Sequence, residues 1–109
     1  MKRTYQTGKD FEFLITPGDI EIQPNDFDNL MTPDSIPWTK ITRNEQICYQ
    51  VGKDEFAYSR KTPGIQMTFN AAMKFEKARQ IVEEVASKLT SYTGREIEVL
   101  FVPTEGIDA

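Results

Sequence analysis

Histidine is absent from the 109 residues, and cysteine occurs once, at Cys48. The first absence removes His-dependent triads, imidazole metal ligands and the side chain that most often acts as a general base near neutral pH. The second leaves no intrachain disulfide and no multi-cysteine metal site, which suits a reducing compartment, so a cytoplasmic location is expected. Without a histidine partner, Cys48 within an apolar-polar alternation reads as a packed thiol and not as a nucleophile.

Long apolar runs are missing as well. The longest is Val99-Leu100-Phe101-Val102, far short of the roughly 18 residues that a membrane-spanning helix needs. No apolar stretch follows Met1-Lys2-Arg3 where the core of a signal peptide would lie. Neither secretion by that route nor a membrane partner is therefore expected. The six glycines stand apart and form no phosphate-cradling loop, so no nucleotide cofactor is expected.

The most uneven scarcity is of positive charge. Between Asp10 and Thr39 there is no Lys or Arg, whereas Asp10, Glu12, Asp19, Glu21, Asp26, Asp28 and Asp34 make seven acids. The chain carries 13 basic and 17 acidic side chains, a net charge of -4, so the residues outside this run are net positive. Such a balance offers no general phosphate-binding surface, and no nucleic-acid partner is expected. Arg43, Lys53, Arg60 and Lys61 near Tyr49, Phe56 and Tyr58 are the residues that would serve one, but the same aromatics are needed for a core.

Phe27, Leu30, Met31 and Ile36 lie inside the acidic run, and Trp38 follows it. Charge that speeds encounter, next to aromatic anchors that slow release, is the combination a protein interface uses. The expected partner-binding residues are Asp19, Glu21, Asp26, Phe27, Asp28, Asp34 and Trp38, facing a basic protein such as a nuclease whose phosphate cleft they would plug. The plainer reading is a solvated loop whose acids keep the chain soluble and whose Phe27 and Trp38 close the core. Asn25-Asp26-Phe27-Asp28-Asn29 alternates oxygen ligands, but it lacks the glycine and the distal glutamate of a calcium loop, so no metal is expected. Pairing Glu21 with Asp19, or Glu55 with a cross-strand acid, would be the route to acid/base chemistry. Neither pairing is distinctive, and no catalytic residue is assigned.

The hydrophobic pattern predicts one α+β domain over residues 1–109, with 1–9 and 104–109 flexible. Period-two alternation marks strands at Phe11 to Ile15, Ile20 to Ile22, Trp38 to Arg43, Gln46 to Val51, Glu55 to Arg60 and Ile65 to Phe69. Thr16-Pro17-Gly18-Asp19 is expected to form a type II turn joining the first two. Asn44-Glu45, Gly52-Lys53-Asp54 and Pro63-Gly64 separate the others. The inward set is Ile47, Tyr49, Val51, Phe56, Tyr58, Ile65, Met67 and Phe69. Gln23 to Pro37 reads as a long loop with a helical turn after Asp34.

Phe75, Ala78, Ile81, Val82, Val85, Ala86, Leu89 and Tyr92 fall at spacings of three and four, which predicts a helix packed on the sheet. Asn70 or the Met73-Lys74-Phe75 segment would start it, and Gly94 would end it. Glu84 with Lys88, and Arg79 with Glu83, are spaced for ion pairs on its outer side. Glu96 to Val102 follows as a closing strand stopped by Pro103, and its consecutive apolar residues predict a central place in the sheet. The fold expected is thus a twisted antiparallel β-meander of five to seven strands, one C-terminal amphipathic helix on one face, and a closing strand.

This order of elements in a small acidic chain resembles small bacterial immunity proteins and mobile-cassette proteins, without a diagnostic motif, and the resemblance assigns no residue a role. It implies a non-enzymatic protein-binding module of the immunity or inhibitor kind. A small-ligand or sensor domain with an apolar pocket lined by Trp38, Tyr49, Phe56, Tyr58 and Met67 is the second reading. A structural homo-oligomer, such as a homodimer paired through a sheet edge, is the third.

Overall fold

Strand and helix boundaries fall where the periodicity changes and where turn residues interrupt it. The computed structural model describes residues 11–70 and 72–102. The two expected flexible ends and the Pro103 stop lie outside the described residues. The elements in chain order are β1 (Phe11–Thr16), α1 (Pro24–Leu30), β2 (Thr39–Arg43), β3 (Gln46–Val51), β4 (Asp54–Lys61), β5 (Gly64–Phe69), α2 (Phe75–Thr93) and β6 (Glu98–Val102). The strands make one antiparallel sheet in the order β2-β3-β4-β5-β1-β6. The α+β fold with an antiparallel sheet and a C-terminal helix is as the sequence pattern predicts.

From β2 to β5 the sheet is a meander of local hairpins. Asn44 and Glu45 both take positive φ, 53° and 66°, the conformation whose twist matches a two-residue hairpin. Gly52 takes φ 67° at the next turn. One face of the sheet is covered by α2. Ala78, Ile81, Val82, Val85 and Leu89 are fully buried, in one core cluster with Phe13, Ile15, Tyr49, Phe56, Met67 and Phe69. The helix starts after Lys74, with no side-chain cap, and ends at Gly94 with φ 72°. Asn70 is not the cap. Its amide instead accepts from the Glu55 N–H at 2.9 Å and donates to Asp54 at 3.2 Å, tying β4 to the end of β5.

Several expectations are corrected. Ile20 to Ile22 forms no strand, because both edges of β1 are already taken, by β5 and by β6. Gly18 does not take the positive φ that a type II turn needs at its third position, and the chain turns off the sheet at Gly18 and Asp19, so the expected hairpin turn is absent. Arg60 donates to the Ile20 carbonyl at 2.8 Å, satisfying a group that a hairpin would have used. The two Pro-Gly segments pack together closely: a Cβ on Gly18 would collide with the Thr62 carbonyl oxygen, and one on Gly64 with that of Ile15.

The Gln23 to Pro37 stretch contains a helix earlier than expected, starting at Pro24, where a missing N–H costs nothing and the fixed φ suits a first turn. No helical turn follows Asp34, because Glu84 accepts from the N–H groups of Asp34 at 2.8 Å and Ser35 at 3.2 Å. Glu84 and Lys88 consequently serve this segment and not each other. Arg79 and Glu83 do pair, at 2.8 Å.

β6 is an edge strand, not a central one, with Leu100 and Phe101 about half exposed at 49% and 47%. The partial cover on Phe101 comes from the rings of Phe13 and Phe75. Ile47, expected inside, is exposed, because its hairpin runs past the cover of α2.

Candidate functional site

Where α2 stops covering the sheet, α1 takes over incompletely and leaves a groove. The β2–β3 register sets Lys40 opposite Tyr49 and Thr42 opposite Ile47, so these side chains share the face that looks toward α1. The groove has a volume of about 680 Å³ and is lined by Ile22, Pro24, Phe27, Asp28, Lys40, Glu45, Gln46, Ile47, Tyr49 and Tyr58. Its wall is largely aromatic. Phe27 meets Tyr58 edge to face, with centroids 5.8 Å apart at 86°, and Tyr49 meets Tyr58 at 6.2 Å and 66°. Behind them Tyr49 stacks on Phe56 at 5.5 Å, and Trp38 sits edge-on to Tyr49 at 5.9 Å.

Asp28 is the polar centre of this wall. Its Oδ1 accepts from the Tyr49 hydroxyl at 2.6 Å and its Oδ2 from Lys40 at 3.0 Å. The tyrosine hydrogen bond, helped by Lys40 and opposed by partial burial, holds the Asp28 carboxyl below the usual carboxylate range. Burial pushes the Tyr49 phenol well up, and the carboxylate beside it adds to that, so the pair is phenol and carboxylate across the ordinary pH range. Tyr58, whose phenol is also raised by burial, donates to the Met31 carbonyl at 2.7 Å. α1 is thereby fixed over its C-terminal half and cap by tyrosines from the sheet.

The remaining expected partner-binding residues are spread around this groove. Asp26 accepts from the Tyr92 hydroxyl at 3.0 Å on the α2 side. Asp19 pairs with Arg95 at 3.0 Å and Asp34 with Lys88 at 2.9 Å, both away from the groove lining. Glu21 is exposed. Phe27 and Trp38 are half-buried and pack on the tyrosines already described. Three acids of the run, Asp19, Asp28 and Asp34, are thus matched by cations from the rest of the chain. The charge separation visible in the sequence is partly consumed in holding the segment to the body.

No protein-family model, curated protein or solved structure matches this chain. The chemistry of the groove therefore stands on its own residues.

Of the residues expected to line an apolar pocket, Tyr49 and Tyr58 reach the groove, whereas Phe56 and Met67 are sealed in the core and Trp38 packs on Tyr49 outside the lining. Ile22, Pro24, Lys40, Glu45, Gln46 and Ile47 were not expected to line a site. The one signal for Lys40 and Ile47 was the Asn44-Glu45 hairpin, whose register places them beside Tyr49. The basic residues near the strands do not gather: Arg43 pairs with Glu55, and Arg60 holds the Ile20 carbonyl. Among the described residues no cluster of acids or Cys48 is arranged to hold a metal. Asp26 and Asp28 are separated by the helix itself, Asp26 bonding toward α2 and Asp28 toward β3. Cys48 is buried on the sheet face away from α2, its thiol pushed up by burial and by Glu55. Among the described residues no helix is long and apolar enough to cross a membrane.

Proposed function

We propose that the chain is a non-enzymatic protein-binding module whose interface is the groove between α1 and the β2–β3 hairpin, and that its partner is a basic protein. The observation that carries this reading is the position of the groove. An aromatic wall of Phe27, Tyr49 and Tyr58 opens to solvent beside α1, with the Asp28–Lys40 pair in the wall, Glu45 on the hairpin rim and Glu21 exposed just before α1. Aromatic anchors beside acids that outnumber the one lysine of the lining support docking of a basic surface. An immunity or inhibitor protein is the concrete form of this proposal.

The test is affinity capture from the native host at low salt, followed by reconstitution with the purified partner. Ile47→Ser is the deciding variant, because it removes an exposed apolar contact without changing the charge of the groove and leaves the core intact. The complex is expected to weaken with added salt and to weaken about tenfold or more with this variant. Binding indifferent to both would overturn the reading. The groove volume also falls in the range of small-molecule sites. A host metabolite recovered with the wild-type chain and lost from the Ile47→Ser variant would favour that second reading.

A further inference from the structure

The groove has an internal feature that specifies the chemistry of what it takes. Asp28 already holds a cation, the Lys40 ammonium, at the groove wall. That ammonium belongs to a side chain 44% exposed and its carboxylate to one 38% exposed, so the pair is a weak, exchangeable surface ion pair. The Tyr49 hydroxyl, by contrast, is on a buried ring and anchors the carboxylate without neutralising it. A carboxylate offers about four acceptor positions, of which Tyr49 and Lys40 occupy two.

We propose that the groove is a receptor for an arginine side chain of the protein partner, whose guanidinium takes the place of Lys40 at Asp28. The proposal rests on the protein-binding reading and adds the ligand chemistry. Charge complementarity selects a cation, since Asp28 and Glu45 face a single lysine in the lining. The aromatic wall selects guanidinium over ammonium. Its planar, weakly hydrated face stacks on rings such as those of Phe27 and Tyr58, while its N–H edge remains free for a carboxylate. A lysine from the partner would offer only what Lys40 offers already. The exchange releases Lys40 to solvent on the exposed edge strand, where its charge stays hydrated.

The probe is N-acetyl-Gly-Arg-Gly-amide, titrated against the whole chain and followed by amide chemical shifts and by the fluorescence of Trp38, the single tryptophan, which touches Tyr49. The lysine and citrulline tripeptides are the comparisons, citrulline being the uncharged counterpart of arginine. The arginine peptide is expected to shift Phe27, Ile47 and Tyr49 and to bind about tenfold or more tightly than citrulline. Lys40→Met should tighten it severalfold, and Asp28→Asn should erase both the arginine preference and that gain. Thermal melts of both variants show whether the fold is kept, and Glu45→Gln, on an exposed turn, provides an independent and smaller loss.

Equal binding of arginine and citrulline, indifference to Asp28→Asn in a folded variant, or shifts confined to residues outside the groove would overturn the assignment. If the tripeptide fails while the purified partner still binds through Ile47, arginine is wrong and the protein-binding reading stands. If the tripeptide binds as expected and no protein depends on Ile47, the reading fails and the guanidinium site remains.

Discussion

The two ends of the sheet are held by different forces. Under α2 the helix contributes five fully buried side chains to a continuous core. Under α1 the helix has no buried residue. Its apolar contribution is the half-buried Phe27 and Leu30 and, just past its end, the buried Met31, and polar ties complete the hold: Tyr49 on Asp28, Tyr58 on the Met31 carbonyl, and Lys88 on the carbonyls of Asn29 and Thr32. A large buried side chain contributes about 1.5–3 kcal/mol, whereas a hydrogen bond nets about 0.5–1.5 kcal/mol and requires its geometry to be kept. The α2 end is consequently the thermodynamic anchor, and the α1 end depends more on individual donors and half-buried contacts. The groove lies at the second end, where the cover is incomplete and its elements can yield locally.

The largest effect expected is for Leu89→Ala, which leaves a cavity under α2 and should cost about 2–5 kcal/mol in denaturant unfolding. Its effect should reach the whole molecule and lower hydrogen-exchange protection in every strand. Lys88→Met should cost less, about 1–3 kcal/mol, through carbonyls left without a donor. Its loss of protection should be confined to α1 and the segment to Ile36. If Lys88→Met instead lowers protection equally in α2, the two ends form one cooperative unit and the contrast between them fails.

The carboxyl in the α1 wall sharpens the contrast further. Asp28 is depressed in the folded chain, so the stability it contributes is present above the unfolded aspartate pKa, about 3.9, and is lost as pH falls through its lower folded value. Wild type should therefore exceed Asp28→Asn in melting temperature at neutral pH and converge with it in acid. Asp54 and Glu84 are opposed by burial but depressed on balance, by Lys77 with Asn70 and by Ser35 with the Asp34 and Ser35 amides, and they add acid sensitivity of the same sign. The smallest effect is for Arg79→Ala, which breaks an exposed pair on the outer side of α2 and should change stability by about 0.5 kcal/mol or less.

The α2 end was legible because burial imposes periodicity: Ala78, Ile81, Val82, Val85 and Leu89 repeat at helical spacing, and Tyr49, Val51, Phe56, Met67 and Phe69 alternate. The α1 end was not, because much of its cohesion lies in long-range polar pairs that leave no periodic trace, and its apolar contacts, Phe27, Leu30 and Met31, are too few to set a period. Nothing in the spacing of Glu84 and Lys88 distinguishes an ion pair along one helix from two clamps on a distant segment. Consecutive apolar residues in β6 misled for a related reason. Val99 and Phe101 do pack, but Leu100 faces away from α2 on an edge strand, where local sequence carries no record of how many neighbours a strand has. Of the candidate site, Phe27, Asp28 and the two tyrosines could be found as acidic and aromatic residues. Pro24, Lys40 and Ile47 required the hairpin register and the position of α1.

The place of β1 between β5 and β6 has a kinetic corollary. β2 to β5 close through short hairpins, so their contacts form at little loop-closure cost as the chain emerges. β1 is made before all of them, yet Phe13 finds its neighbours only at Met67 and Phe101. One of its edges must stay uncommitted until β5 has been synthesised and the other until β6 has. The interlocked Pro-Gly corners at Gly18 and Gly64 then bring an earlier and a much later part of the chain into contact, which makes completion of the sheet a late, long-range event.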